Sequence, residues 1–256
     1  MKAFLNQLLI LILAFGTWGS FTSAAQGVKK GKVDRPEKVT PDNGAILKTV
    51  DELLAEGNKD FKDSYFLEKQ YYEQRDYPSA LPLWRKLYEK YPKSTLNIYL
   101  HGIAIYQGLA EGTTDKNLKG RYSDTLMSIY DRRIKYFNQR GYILGRQGTD
   151  FLKYNLTRED MSDAQRKPIL KKGYGYLEES VKLQNLQSEA PVLLLLMQTT
   201  RGLYSMGELK KEKVIENYGI VSNIISKALQ KDPASHNYIT AKDHIDQVFK
   251  ASGAGE

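Results

Sequence analysis

Three histidines are the only side chains of this sequence that ordinarily gain or lose a proton near neutral pH. His101 lies among apolar neighbours in a predicted helix, which favours a packing role over a catalytic one. His236 and His244 are eight residues apart, so a metal ion between them would need further ligands from elsewhere in the chain. We therefore expect no metal site at these residues.

Other groups that could do chemistry are also poorly arranged. The chain has no cysteine, which excludes thiol catalysis, disulfides and cysteine-bound zinc. Acidic pairs such as Glu178-Glu179 are adjacent, so on a helix their carboxylates point about 100° apart. The glycines of Gly145-Arg-Gln-Gly148 lack the Lys-Ser/Thr of a phosphate-binding loop. The sequence therefore predicts a protein that is not an enzyme and has no cofactor.

The elements that carry these residues are predicted to be helices. The chain has 256 residues, of which 41% are hydrophobic and 27% charged, a globular composition. From residue 45 onward apolar residues recur every three or four positions, and Gly, Pro and Asn interrupt them at intervals of about 15 to 20 residues. This pattern predicts an all-α domain over 45–250, built from stacked antiparallel helical hairpins: about four irregular pairs and a C-terminal capping helix at 236–250.

The remaining segments carry different signals. Residues 1–25 place one lysine before an apolar stretch and end in small residues, which predicts a cleaved signal peptide; an uncleaved anchor is the alternative. Residues 26–44 are predicted to be a basic flexible linker, and 251–256 a disordered tail. We expect a periplasmic or secreted protein that is not a lipoprotein, because no cysteine could carry the lipid.

The net charge of +8 raises the question of acidic partners. Residues 26–38 alone hold five basic and two acidic side chains, so an acidic polysaccharide or an anionic lipid surface is one alternative partner for this segment. The 18 tyrosines recur at helical spacing, which is more typical of a packed core than of a base-stacking platform. We expect no nucleic-acid partner and no transmembrane segment after signal cleavage.

One stretch indicates the kind of hairpin. Leu67, Tyr71, Ala80, Trp84 and Pro92 have the spacing of a tetratricopeptide repeat (TPR), and all five are predicted to pack within the repeat. The stretch departs from that pattern where Ser64 and Glu68 replace an aromatic and a small residue. In the next pair, Gly102 occupies the position of close helix approach.

Several later segments add to this resemblance. Their amino-acid sequences resemble segments of exported TPR proteins of Gram-negative cell envelopes. These segments are Asp124-Thr125-Leu126-Met127, Tyr130-Asp131-Arg132-Arg133-Ile134, Gly141-Tyr142-Ile143-Leu144-Gly145-Arg146 and Glu216-Asn217-Tyr218. The resemblance implies a TPR-like α-solenoid that acts as a non-catalytic protein-interaction scaffold.

Some element boundaries are also predicted. Residues 109–119 are expected to form an inserted loop between the two helices of the second pair, and the second helix of the third pair is expected at 171–183. Ser188 is expected to cap the helix that follows it.

In a TPR-like solenoid, the first helix of each pair lines the concave face, where a ligand would bind. The candidate partner-binding residues on this face are Tyr65, Lys69, Tyr72, Tyr99, Tyr106, Arg146, Arg201 and Tyr204. Tyrosine and arginine often supply most of the binding energy of an interface, although any of these tyrosines could instead belong to the core. We expect an envelope adaptor that binds a partner peptide or helix; a carbohydrate-binding accessory protein is the alternative.

Overall fold

The computed structural model describes residues 44–156 and 161–256. Within these ranges all regular secondary structure is helical and no strand occurs. The prediction of an all-α chain of stacked helical hairpins is therefore confirmed. The predicted signal peptide, and the predicted linker apart from Gly44, lie outside the described residues. No helix of the described ranges is both long enough and apolar enough to cross a membrane.

The chain divides into two compact units. The described part of the first unit is residues 44–139. A short helix precedes two hairpins in this unit, and each helix packs against the next. Its helices are α1 (Val50–Ala55), α2 (Lys59–Glu73), α3 (Tyr77–Lys90), α4 (Asn97–Gly112) and α5 (Lys116–Phe137).

The described residues of the second unit, 140–156 and 161–256, hold two further hairpins and a final helix. Its helices are α6 (Arg140–Asn155), α7 (Asp163–Gln184), α8 (Ala190–Ser205), α9 (Lys211–Lys231) and α10 (His236–Lys250), with a short 3-10 helix at Asn185–Gln187. Helix α8 packs against α7, α9 and α10, and its residues 190–200 are all buried. This helix is the centre of the second unit.

Side-chain caps explain where several helices begin. Thr49 and Glu52 form a reciprocal capping box at the start of α1, and Ser162 and Gln165 form one at the start of α7. The Asp115 side chain accepts hydrogen bonds from the first backbone N–H groups of α5. These caps satisfy N–H groups that have no partner within the helix.

The helices of the first unit meet at the residues that the repeat pattern singles out. A Cβ atom on Gly102 would lie 2.4 Å from Cζ2 of Trp84, so α3 and α4 can approach this closely only because residue 102 is glycine. The Trp84 Nε1–H donates a hydrogen bond to the carbonyl oxygen of Ile98 at 2.7 Å. Ala80 and Pro92 are buried, and Tyr71 is half-buried. Leu67, in contrast, is 40% exposed and does not pack in the core as expected.

Glycines also permit a close approach of two helices in the second unit. A Cβ atom on Gly173 of α7 would lie 2.4 Å from a methyl carbon of Leu152 on α6. In the same interface the roles of the two helices are also reversed: a Cβ atom on Gly148 of α6 would lie 3.1 Å from the side chain of Leu177 of α7. Glycines at the crossing points therefore set the spacing between α6 and α7.

Three boundary predictions are wrong. Helix α4 continues to Gly112 and α5 begins at Lys116, so the expected inserted loop at 109–119 is only residues 113–115. Helix α7 begins at Asp163 rather than near 171, because the capping box at Ser162 starts it earlier. The residue at the cap position of α8 is Glu189, and the buried hydroxyl of Ser188 makes no hydrogen bond among the described residues.

The C-terminal residues also differ from expectation. Residues 251–256 were expected to be a disordered tail, but they form turns that fold back on the second unit. Ala254 is fully buried, and the Lys211 Nζ donates to the backbone oxygen of Glu256 at 2.8 Å. These contacts hold the end of the chain against the preceding helices.

Candidate partner-binding site

Three of the predicted binding residues lie together on one side of α2. Tyr65, Lys69 and Tyr72 are spaced by four and three residues, so their side chains follow one another along the helix. Lys69 is exposed, and the two tyrosines are partly exposed. The adjoining side of the helix, which carries Ser64 and Glu68, is buried.

Phe66 completes this exposed side and was missed by sequence reasoning. Its ring is 51% exposed and contacts the edge of the Tyr65 ring at a centroid distance of 5.4 Å. Tyr65 in turn stacks on the buried ring of Phe61 at 5.2 Å. The only sequence signal is that Phe66 falls outside the buried stripe of α2, at a position where a polar residue is usual. We call Tyr65, Phe66, Lys69 and Tyr72 the α2 face.

The end of this face rests on a histidine that is held by a buried carboxylate. The Tyr72 ring stacks on the His101 imidazole of α4 at a centroid distance of 3.7 Å and an angle of 11°. The Nδ1 atom of His101 lies 3.0 Å from both carboxylate oxygens of Glu68, a residue that is 1% exposed. Glu68 therefore fixes the orientation of the imidazole, and the imidazole fixes the ring of Tyr72.

This arrangement has consequences for the chemistry of both rings. Burial raises the pKa of Tyr72, with smaller contributions from Tyr77 and Glu68, so its hydroxyl stays protonated in neutral solution. A histidine oriented by a carboxylate resembles one half of a catalytic pair. Among the described residues, the contact with Glu68 is the only hydrogen bond that His101 makes. The packing role expected for His101 fits this geometry.

Tyr99 and Tyr106 do not belong to a binding face, and their prediction as partner-binding residues is wrong. They are 0% and 3% exposed, respectively. The Tyr99 hydroxyl donates to the carbonyl oxygen of Pro92 at 2.8 Å, and its ring packs edge-on against Phe137 of α5. The Tyr106 ring packs edge-on against Trp84 of α3. The side of α4 that carries both tyrosines therefore faces α3 and α5.

The remaining three candidates belong to the second unit. The Arg146 Nη2 donates to Glu189 Oε1 at 2.7 Å, and its guanidinium lies 5.3 Å from the centroid of the Tyr142 ring. Burial raises the pKa of Glu189 despite this ion pair. Arg201 and Tyr204 are partly exposed on α8, and burial lowers the pKa of Arg201. Arg146 thus already has an acidic partner within its own unit.

A polar network connects three helices of the second unit. The Asn217 side chain of α9 donates to Thr200 Oγ1 of α8 at 2.9 Å and to the Tyr174 hydroxyl of α7 at 3.2 Å. That hydroxyl donates to Glu178 Oε1 at 2.6 Å, and Lys213 Nζ lies 2.8 Å from the same oxygen. Asn217, Thr200 and Tyr174 are buried, so this network replaces water for all three side chains.

The other two histidines do not form a metal site. His236 is exposed at the start of α10, and the His244 Nδ1 lies 2.9 Å from the backbone oxygen of Thr240. In residues 44–156 and 161–256, no group of three or more histidine, aspartate or glutamate side chains could hold a metal ion.

Comparison with known proteins gives no match. No protein-family model, curated protein or solved structure matches this chain. The α2 face is accordingly described from its own geometry: two partly exposed tyrosines, a half-exposed phenylalanine and an exposed lysine on a supported helix.

Proposed function

We propose that the protein is a non-catalytic scaffold that joins other proteins in the bacterial cell envelope, and that its α2 face binds a segment of a partner protein. The half-exposed ring of Phe66 is the observation that carries this proposal. Large aromatic side chains exposed beside other aromatic rings are typical of interaction surfaces.

The support beneath the α2 face favours binding. Tyr65 is held by Phe61, and Tyr72 is held by His101, so neither ring needs to be ordered when a partner arrives. Rigid rings lose little conformational entropy on binding, and preorganisation lowers the free-energy cost of association. We expect these two rings to keep their positions when a partner binds, and Phe66 to be the side chain that the partner buries.

The charge on this face suggests the chemistry of the partner. Lys69 is exposed, and its ammonium group lies 3.7 Å from the carboxylate of Glu73 in the next turn, a weak pair in solvent. A carboxylate of a partner could compete with Glu73 for this lysine. We therefore expect a partner segment with apolar side chains for Phe66 and an acidic residue for Lys69.

The envelope location rests on residues 1–25 of the sequence. Cell fractionation and the mass of the purified protein test this part of the proposal. We expect the mature chain to begin at Gln26 and to leave the cytoplasm, because the small residues that end at Ala25 fit a cleavage site. A cytoplasmic protein that retains residues 1–25 would contradict it.

Site-specific photocrosslinking in cells tests the binding face. A photoreactive phenylalanine analogue replaces Phe66 in one strain and Ile220 in a control strain; Ile220 is also an exposed apolar residue, 42% accessible, on α9. We expect crosslinks to one or two envelope proteins from position 66 and none of these from position 220.

Competition then separates binding from proximity. When the crosslinking is repeated in a cell extract, added wild-type protein should suppress the crosslink from position 66, whereas a Phe66→Ala/Lys69→Ala variant should not. An Ile220→Ala/Lys227→Ala variant is the matched control, since it too removes one exposed large apolar side chain and one exposed lysine. Equal competition by both variants would show that the α2 face does not bind the partner.

A further inference from the structure

A cavity of about 350 Å³ opens between α9 and α10 in the second unit. Its apolar lining comes from Ile225 and Leu229 of α9 and Ile245 of α10. Ligand sites in proteins usually occupy about 300 to 1,000 Å³, so this cavity lies at the small end of that range and has room for a single sugar ring.

One wall of the cavity is held rigidly in place. The Tyr218 hydroxyl donates to Asp246 Oδ1 at 2.9 Å, which ties α9 to α10. The Tyr218 ring stacks on Phe249 with a centroid distance of 3.9 Å and an angle of 6°. Tyr218 therefore cannot turn away without losing both interactions.

The charges at this wall cancel. The Lys242 Nζ donates to Asp246 Oδ2 at 2.8 Å, so each carboxylate oxygen of Asp246 already accepts one hydrogen bond. A charged ligand would have to separate this pair to find a counter-ion. The cavity therefore favours an uncharged ligand, which could add hydrogen bonds to the pair and leave it intact.

Other polar groups of the lining are available to a ligand. The side chains of Ser226 and Gln230 in the lining are exposed. Ser226 makes no hydrogen bond among the described residues, and the Gln230 oxygen accepts only one, from Lys227 at 3.3 Å. A wholly apolar ligand would bury these groups without partners, at a cost of about 1 to 3 kcal/mol for each group.

We infer that this cavity binds one neutral sugar ring. A pyranose is uncharged, has hydroxyl groups that both donate and accept hydrogen bonds, and has C–H surfaces that can pack on the partly exposed side chain of Leu229. This combination matches the size, the neutral charge and the mixed polar and apolar lining of the cavity. The inference does not depend on the α2 face, which lies in the other unit.

Ligand-detected NMR of the purified protein tests the inference. Saturation-transfer spectra are recorded with glucose, galactose and N-acetylglucosamine, and with glucuronic acid and glucosamine as charged comparators. We expect saturable binding of at least one neutral sugar, and at least tenfold weaker binding of its charged counterpart. No saturable binding of any neutral sugar, or stronger binding of a charged one, would overturn the inference.

A pair of variants locates the binding. Ser226 lines the cavity and is exposed, so Ser226→Phe should block it and weaken binding at least tenfold. Asn223→Phe adds the same ring at an exposed position of α9 outside the lining and should leave binding unchanged. Equal affinities of the wild type and the Ser226→Phe variant would place the sugar elsewhere and refute this site.

Discussion

At the scale of single residues, the carboxylate of Glu68 is a buried acidic group held by a single side chain. It is 1% exposed, and His101 is its only hydrogen-bond partner among the described residues. Removing water from a carboxylate is costly, and the loss of its partner leaves that cost uncompensated. Glu68 and His101 should therefore depend on each other for stability.

Substitution of the histidine tests this dependence. We expect His101→Ala to lower the free energy of unfolding by about 3 to 5 kcal/mol, because it leaves the Glu68 carboxylate buried and unpaired. Glu68→Gln in the same background should recover part of the loss, since the buried group is then neutral. Urea unfolding of the single and double variants measures both effects. Additive losses would mean that the two side chains do not interact.

Gly102 provides a second test at this scale. We expect Gly102→Ala to destabilise the protein by about 1 to 3 kcal/mol, because the added methyl group would overlap the buried and hydrogen-bonded ring of Trp84. Gly112→Ala is the matched control in the same helix: nothing lies within 4 Å of its Cβ position. That control should be neutral or slightly stabilising, since alanine favours helix. Thermal unfolding that shows equal stability for both variants would contradict the close approach.

At the scale of elements, the polar network around Tyr174 joins α7, α8 and α9. Burial, and then the hydrogen bond to Glu178, raise the pKa of Tyr174 to about 12. Hydrogen bonds from Lys213 and Tyr174 outweigh the opposite effect of burial and lower the pKa of Glu178. The same carboxylate holds the pKa of Lys213 above its usual value despite burial. The network therefore favours a neutral phenol beside an ion pair.

The raised pKa predicts how stability changes in alkali. The phenol ionises at about pH 10 in the unfolded chain but at about pH 12 in the folded one, so its contribution to stability is complete below pH 10 and is lost as the pH rises towards 12. We expect Tyr174→Phe to be about 1 kcal/mol less stable than wild type at pH 8, because hydrogen bonds are lost. This difference in the free energy of unfolding between wild type and variant should narrow between pH 10 and 12. Chemical unfolding at several pH values measures it, with Tyr204→Phe as the control; a constant or wider gap would be the contrary result.

At the scale of the whole molecule, basic charge is concentrated near the amino terminus. Residues 26–38 hold five basic and two acidic side chains, whereas many lysines of the helical units pair with acids, as Lys86 and Lys90 do with Asp60. Asp60 responds accordingly: hydrogen bonds from these lysines lower the pKa of its carboxyl group. Binding to a polyanion should therefore depend on the N-terminal segment more than on the total charge.

Retention on an immobilised acidic polysaccharide tests this expectation. We expect Lys29→Ser/Lys30→Ser/Lys32→Ser to elute at clearly lower salt than wild type, because clustered charges act together within the screening length of about 8 Å at physiological salt. The Lys227→Ser/Lys231→Ser/Lys250→Ser variant removes the same net charge from exposed positions of α9 and α10. It should elute at higher salt than the Lys29→Ser/Lys30→Ser/Lys32→Ser variant. If both variants elute together, net charge alone governs retention.

Much of the helical architecture could be predicted because it is encoded locally. The spacing of Ala80, Trp84 and Gly102 marks the helix crossings, since close approach requires a small residue facing an aromatic one. The candidate site was only partly predictable. Tyr65, Lys69 and Tyr72 lie on one exposed side as expected, whereas the position of Phe66 outside the buried stripe of α2 does not by itself mark it as a binding residue.

The sequence by itself determined which residues share a side of a helix, because side-chain direction repeats every 3.6 residues whatever the surroundings. It correctly placed Tyr99 and Tyr106 on one side of α4. Only the tertiary structure decided that this side faces α3 and α5 and is buried, because the rotation of a helix depends on all of its neighbours. The exposure of Leu67 and the division into two units were decided in the same way, by contacts between residues far apart in the chain.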